Sequence, residues 1–483
     1  MPSISRRGVL AGGAALAALA ACRAVVRDEP RAQTSRIVIV GAGLSGLVVA
    51  YRLMQRGCDV LVIEATARAG GRIRTIRGWP DDLHVEAGAT HVVPDPSLLA
   101  LMSELGVALG ERAPRPHLAS VVYQGGERRV YRDGDEPPSA RDYTPREREL
   151  GFAGRLREYF AVPIDPQMLR SMQWSADAAR LDRATCADYL RGQGASAAAI
   201  ADVDEMMPIG DGVESISALE VARVLAAIAG ERSLASPPDR NGRIAGGSDA
   251  LPLALAQKLG DRIAYGTELV HIDRLASPLG LVVRDRSGQH RIDAARVVLT
   301  MPLPVLRAIS VAPAWSPLKA RAIAELGMTS VTRIWVASDR RYWRDAGESG
   351  TADSDLPTGR IRDETDLSPG TAGVLGIYAT AAAARRLAAE TAASRVAELS
   401  RDIALVHPAV AGHLVRGDSV AWDAEPFARG AYAAFRPGQL TELAPAAASP
   451  EGAIHFAGCG TSYRPGFMHG ALASAARVLA EIA

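Results

Sequence analysis

The sequence predicts an α/β fold of two domains, and three observations carry that prediction. Residues 36–64 run strand, glycine turn, helix, strand (RIVIV, GAGLSG, LVVAYRLMQRG, DVLVIE), which is the opening of a βαβ unit. Residues 261–300 alternate short β-rich runs, GLVVRD and RVVLT among them, with turns, while residues 135–235 are Ala-rich and periodic as helices are. The chain closes on a short strand, IHFAG, and a helix, GALASAARVLAEI. A parallel sheet of Rossmann type joined to a mixed α+β domain accounts for all three.

Bulk properties agree. At 483 residues the chain exceeds one ordinary domain, and length alone suggests two or three. Hydrophobic residues at 48% and charged residues at 23% are enough for a packed core. The formal net charge of +1 removes any global electrostatic argument for a nucleic-acid partner. Basic residues are scattered arginines, and lysine is nearly absent.

Taken in order, the elements begin with an export signal. Arg6-Arg7 stand ahead of the weakly apolar run Gly8–Ala21, the pattern of a twin-arginine signal at 1–22, and a periplasmic location follows. The run is too short for a stable membrane anchor, and no later segment reaches ~20 uninterrupted apolar residues. Its end, Leu19-Ala20-Ala21-Cys22, is similar to a lipobox, so either Cys22 becomes a lipid-anchored N-terminus or cleavage falls near Ala24. Residues 23–35 are polar and aperiodic and read as a linker. The helix after the glycine turn stops at Gly57, a suitable residue beyond a C-cap. Residues 315–410 read as helix-rich, with the Pro/Ser/Asp-rich stretch 344–370 as a surface excursion. The remaining cysteines, Cys58, Cys186 and Cys459, form neither a disulfide framework nor zinc-ligand spacing.

The glycine turn carries the first chemistry. Gly41 permits the tight turn, Gly43 lets backbone approach a pyrophosphate, and Gly46 lets the helix pack closely on the strand. The pyrophosphate would lie against unpaired N–H groups at the helix N-terminus. Glu64, ending the next strand, would accept from adenosine ribose hydroxyls and disfavour a 2′-phosphate. The cofactor at this point is NAD or FAD. Gly70-Gly71-Arg72 then places flexible backbone and a cation just beyond the acid.

From Gly41 to Thr75, GAGLSGLVVAYRLMQRGCDVLVIEATARAGGRIRT resembles the opening of the flavin-containing amine oxidase family, which includes monoamine, polyamine and L-amino-acid oxidases. HVEAGATHV (84–92), GGSDALPLALAQKLGDRIAYGTELVHI (246–272), RVVLTMPLPVLR, AWDAEPFARGAY and HFAGCGTSYRPGFMHGALASAARVLAEI continue the resemblance. It implies noncovalent FAD held by Gly41, Gly43, Gly46, Glu64, Ala65, Gly71 and Arg72, with Gly88, Ala89 and Thr90 beneath the flavin. Leu269 would meet the adenine, and Gly458, Gly460 and Met468 the flavin end. The implied domains are a discontinuous Rossmann-like FAD-binding domain (36–90, 240–305 and 425–483) and a substrate-binding domain (91–239 and 306–424). A cofactor loaded in the cytoplasm explains an export route for folded proteins.

The implied reaction is C–N oxidation of a small-molecule amine: hydride to flavin N5, hydrolysis of the imine, and reoxidation by O2 to give H2O2. Tyr432 and Phe467 align with the two aromatic walls that flank the amine. Ala431 stands where some members attach the flavin through cysteine. Two departures matter. Arg333 replaces the lysine that holds a water against N5, and Gly460 replaces a carboxylate near the cofactor. An amine dehydrogenase passing electrons to a quinone or cytochrome, an L-amino-acid oxidase, a C–C desaturase, and an FAD-binding protein without turnover are the alternatives. Amino-acid oxidases carry an arginine where this chain has His91, which favours an amine over an α-amino acid. Asp202, Asp204 and Glu205 are either a polyamine-binding cluster or solvated acids on a helix. The particular amine and the oligomeric state are not encoded in any motif.

Overall fold

Ile37–Val40 is apolar and buried at every position, as a central parallel strand must be with both faces covered. A computed structural model describes residues 35–483 apart from 94, 111–117, 133–141, 235–241, 366–367 and 369. The export signal, Cys22 and residues 23–34 of the linker therefore lie outside the described residues.

Around Ile37–Val40 a five-stranded sheet forms in the order Ile454–Phe456, Arg296–Leu299, Ile37–Val40, Val60–Glu64, Ile263–Tyr265. Every pairing in it is parallel. One face is covered by the helix Leu44–Gln55, which buries Leu47, Val49 and Leu53 against Ala250–Leu259 and Met468–Ile482. On the other face Val38, Val40, Val297 and Phe456 meet Leu281 and Val283 of a four-stranded sheet (Gly288–Ala294, Leu279–Asp285, Glu268–Asp273, Ser310–Ala312). Gly57, at φ +80°, follows the first helix where the sequence expects it to stop.

A second, seven-stranded sheet runs Leu414–Ala421, Val331–Ser338, Gly373–Thr380, Ile361–Asp363, Glu348–Ser354, Ala119–Gln124, Glu127–Tyr131. It corrects two expectations. The 344–370 stretch is no surface excursion, because it supplies two of these strands, with Ala352 and Ile361 fully buried. Its strand ESGTADS is short on β-formers, yet Glu348, Gly350 and Ala352 alternate inward; a Cβ on Gly350 would sit 2.7 Å from Trp343 Nε1. Likewise 315–410 is not helix alone: Val331–Ser338 is a strand buried throughout, with helices Ala381–Ala388 and Ala392–Val406 packed against it. Described residues 142–234 are mainly helical, as expected, from Pro145–Tyr159 to Ala218–Leu234.

Candidate active site

The five parallel strands all point their C-terminal ends at one cavity of about 2090 Å³, so Gly41, Ala65, Thr300 and Gly458 reach its wall directly from strand ends. Gly41 sits at φ +109°, and a Cβ there would lie 2.5 Å from Thr300 Oγ1. Gly46 is off the cavity; a Cβ on it would lie 2.1 Å from the Gly41 carbonyl, which is the cost of bringing helix and turn together. Gly43 differs from both, with nothing within 4 Å of where its Cβ would be. Behind it, Gly70 N–H donates to the Ala42 carbonyl (2.9 Å), and Gly71 packs on the Gly43 backbone. Two glycine stretches thus lie back to back and leave Gly43 open. The helix that follows has no side-chain cap, so its first N–H groups are free to bind an anion.

Glu64 is held by this turn. Its carboxylate accepts from Ala42 N–H (2.8 Å), Thr66 N–H (2.8 Å) and Thr66 Oγ1 (2.7 Å), which leaves acceptor capacity on the cavity side. Leu269, buried on Glu268–Asp273, lines the same end. Arg72 lines the middle, and its guanidinium donates to the Ala431 carbonyl (2.5 Å). Gly88 is pressed against the Arg72 carbonyl so closely that a Cβ would lie 1.8 Å away. Ala89, Thr90 and Met468 complete this stretch of wall. Gly460 is not on it; it lines a small side cavity with Arg72, Ala433 and Thr461.

At the far end stand aromatic rings. The two-stranded ribbon Gly327–Thr329 with Tyr432–Ala434 fixes Tyr432, whose hydroxyl donates to the Pro208 carbonyl (2.5 Å) and lies 3.4 Å from the Tyr378 hydroxyl. Its ring packs on Gly466, the residue before Phe467. Burial raises the Tyr432 pKa well above its ordinary value, with the Tyr378 hydroxyl adding to the shift, so the phenol stays neutral. Phe467 faces the cavity beneath the Arg464 guanidinium, 4.2 Å from its ring centre.

Arg333 also reaches this wall, on Val331–Ser338, but its guanidinium is committed. It donates to the Glu86 carbonyl, to Thr90 Oγ1 (3.2 Å) and to Glu364 Oε1 (2.6 Å), and both partners of the ion pair are buried. Sequence reasoning missed Tyr378 and Glu364, because both lie where 315–410 reads as helix and surface loop. The alternation in VLGIYAT is the signal that would have found Tyr378. His91, Cys459, Asp202, Asp204 and Glu205 line the cavity as well. Two of the acids have structural work: Asp202 pairs with Arg155 and accepts from the Tyr143 hydroxyl (2.9 Å), and Asp204 accepts from Val213 N–H (2.8 Å).

These residues fit FAD. The cavity is about twice the upper size of an ordinary small-ligand pocket (~1,000 Å³), room for a dinucleotide and a substrate together. The open Gly43 is a cradle that a side chain would fill. Comparison with known proteins agrees. YobN of Bacillus subtilis (strain 168), which carries an L-amino-acid oxidase name, is 27% identical over 92% of this chain and 94% of its own. The L-amino-acid oxidase of Siganus canaliculatus is 25% identical over 94% of this chain and 86% of its own. Among solved structures, wild-type putrescine oxidase bound to putrescine superposes with a TM-score of 0.78 at 25% identity, covering 93% of this chain and 98% of that one. Cyclohexylamine oxidase from Brevibacterium oxydans IH-35A shares the fold, with a TM-score of 0.77 at 23% identity over 93% and 98%. The family model for flavin containing amine oxidoreductases matches residues 44–483. That match runs from the glycine turn to the last residue, so the chain belongs to the flavin containing amine oxidoreductases and is an FAD-dependent enzyme.

Proposed function

We propose that the protein is an oxidase that deaminates a small-molecule amine, converting the C–N bond to an imine that water hydrolyses to a carbonyl product and ammonia or a smaller amine. The observation that carries this reading is the single cavity joining an open glycine cradle to a wall of aromatic rings. When bound, FAD supplies the two-electron acceptor for the substrate C–H bond and passes the electrons on to O2. Gly41, Gly43, Glu64, Ala65, Gly71, Arg72, Gly88, Ala89, Thr90, Leu269, Gly458 and Met468, which line the cavity, would hold it. Ala431 offers no thiol, which supports noncovalent binding.

The chain's own part is positioning. Tyr432, locked by Pro208 and neutral at working pH, and Phe467 present ring faces between which an uncharged amine sits in one orientation. Tyr378 extends that wall. A second reading rests on Arg333: tied to Glu364 and unable to give up a proton, it is a poor substitute for a lysine that manages water and oxygen, which favours a quinone or cytochrome as acceptor. Adding amines anaerobically to the yellow protein separates the two. Bleaching that reverses in air with H2O2 supports the oxidase, bleaching that persists in air supports the dehydrogenase, and no bleaching by any amine defeats both. Export through the twin-arginine route, with FAD already folded in, belongs to the same proposal and is tested by finding flavin in the periplasmic fraction.

A further inference from the structure

The small side cavity that Gly460 lines is a second void against the residues that would hold the cofactor. Its volume is about 30 Å³, above the ~10–15 Å³ that a single water-sized molecule needs, so it has room for one small guest. It lies at the C-terminal ends of Arg296–Leu299 and Ile454–Phe456, and it shares Thr300, Ala433 and Gly458 with the large cavity. One layer of residues therefore separates the two. At its other end Gly327 is exposed and Leu303 half-buried, so the chamber reaches toward the surface on residues that do not line the large cavity.

The chamber is dry. Leu299, Leu306, Leu326 and Phe456, all buried, form its apolar wall together with Met328. Gly460 adds no side chain, and a Cβ there would meet nothing nearer than Ala433 Cβ at 3.4 Å. Among the described residues, the polar side chains on the wall already have partners. Thr300 Oγ1 donates to the Val40 carbonyl (2.9 Å). Thr461 Oγ1 donates to the Gly458 carbonyl (3.0 Å) and accepts from the Arg477 guanidinium (3.1 Å). Arg72 donates to the Ala431 carbonyl (2.5 Å) and is otherwise one of the groups assigned to FAD. A buried water needs about two to four polar partners, and a small cavity without them stays empty or takes an apolar guest.

We propose that this chamber is a dioxygen site, through which O2 reaches the reduced cofactor by a route separate from that of the amine. The inference rests on the oxidase reading and deepens it. Dioxygen is small, uncharged and apolar, so it leaves water for such a chamber with no hydrogen bond to lose. In the large cavity the amine or its product stands beside the cofactor, and an approach through the chamber lets O2 react before that cavity empties. On reaching the reduced cofactor, O2 takes up two electrons and two protons and leaves as H2O2, which regenerates FAD.

Xenon, an apolar atom that occupies dry cavities, tests the chamber without turnover. In a crystal of the FAD-loaded protein pressurised with xenon, a xenon atom should lie among Leu326, Met328 and Phe456, and Leu326→Phe should exclude it. For the route, the flavin is photoreduced anaerobically, so no amine is needed, and mixed with O2 or with ferricenium, an acceptor too large for the chamber. Leu326→Phe and Met328→Phe should each slow reoxidation by O2 by roughly tenfold, as overpacking a narrow passage does, while reoxidation by ferricenium stays at the wild-type rate. Leu326→Ala, which widens the chamber, should not slow it. Ordered water in place of xenon overturns the inference, as does a wild-type rate with O2 in both phenylalanine variants. Equal slowing with O2 and ferricenium also overturns it, because the substitutions have then disturbed the flavin itself. Slowing specific to O2, in a protein whose flavin no amine reduces, upholds the dioxygen site and sinks only the amine reading. A photoreduced wild-type flavin that persists in air overturns the site together with the oxidase reading.

Discussion

Replacing Glu364 by glutamine should destabilise the protein well beyond what so small a change usually does. The carboxylate and the Arg333 guanidinium meet at 2.6 Å with side-chain exposures of 8% and 4%, so neither is rescued by bulk water. Breaking a buried ion pair from one side costs ~3–5 kcal/mol, because the other charge stays buried and alone. Glutamine keeps an oxygen for Arg333 to donate to, which places the cost near the low end, ~3 kcal/mol. An unfolding entropy of ~2.1 cal/mol/K per residue over roughly 450 residues is ~0.9 kcal/mol/K, so the melting temperature should fall by about 3 °C. The assay is thermal unfolding of the FAD-loaded protein, followed by circular dichroism and by flavin fluorescence. Adding Arg333→Met to Glu364→Gln removes the stranded charge and should recover most of the loss. A Glu364→Gln protein that melts within about 1 °C of wild type, or a double variant whose losses simply add, would refute the claim that Arg333 is held as a paired charge.

Further outcomes follow from the same geometry. Gly43→Val should fold, since nothing in the protein crowds that position, yet lose its visible flavin absorbance; Gly46→Val should instead lower the yield of folded protein. Tyr432→Ala should keep FAD and cut kcat/KM for the preferred amine by roughly tenfold or more, about 1.4 kcal/mol of transition-state contact, read by stopped-flow reduction of the flavin. Glu86 is pushed up from 4.5 to about 7, first by burial, its bonds from Ser248 N–H and Thr75 Oγ1 offsetting only part. A carboxylate with a raised native pKa stabilises the fold most below its unfolded value, so this contribution declines as pH rises from 4.5 to 7, by ~3 kcal/mol. Glu86→Gln should remove that decline from the pH profile of unfolding free energy; an unchanged slope would show that Glu86 does not titrate there.

The cofactor end of the molecule was readable because each of its requirements selects a residue type locally. A turn at φ +109° needs glycine at Gly41, a fully covered strand needs the unbroken apolar run of Ile37–Val40, and both appear in order along the chain. The far wall was not readable, because its residues meet only after long-range pairing. Glu364 and Arg333 are joined across the intervening strand Gly373–Thr380, and Glu364 comes from a stretch whose small and polar residues hide its alternation.

The edge strand Ile454–Phe456 lies beside Arg296–Leu299, and Met468–Ile482 packs on Leu44–Gln55, so the earliest and latest described parts of the chain share one layer. A ribosome must therefore release the chain through Ile482 before that layer can close. Until then Arg296–Leu299 presents an unpaired apolar rim of the kind that aggregates. Growing chains of this protein should depend on chaperones, and a stop codon anywhere before Ile454 should yield inclusion bodies rather than a smaller soluble fragment.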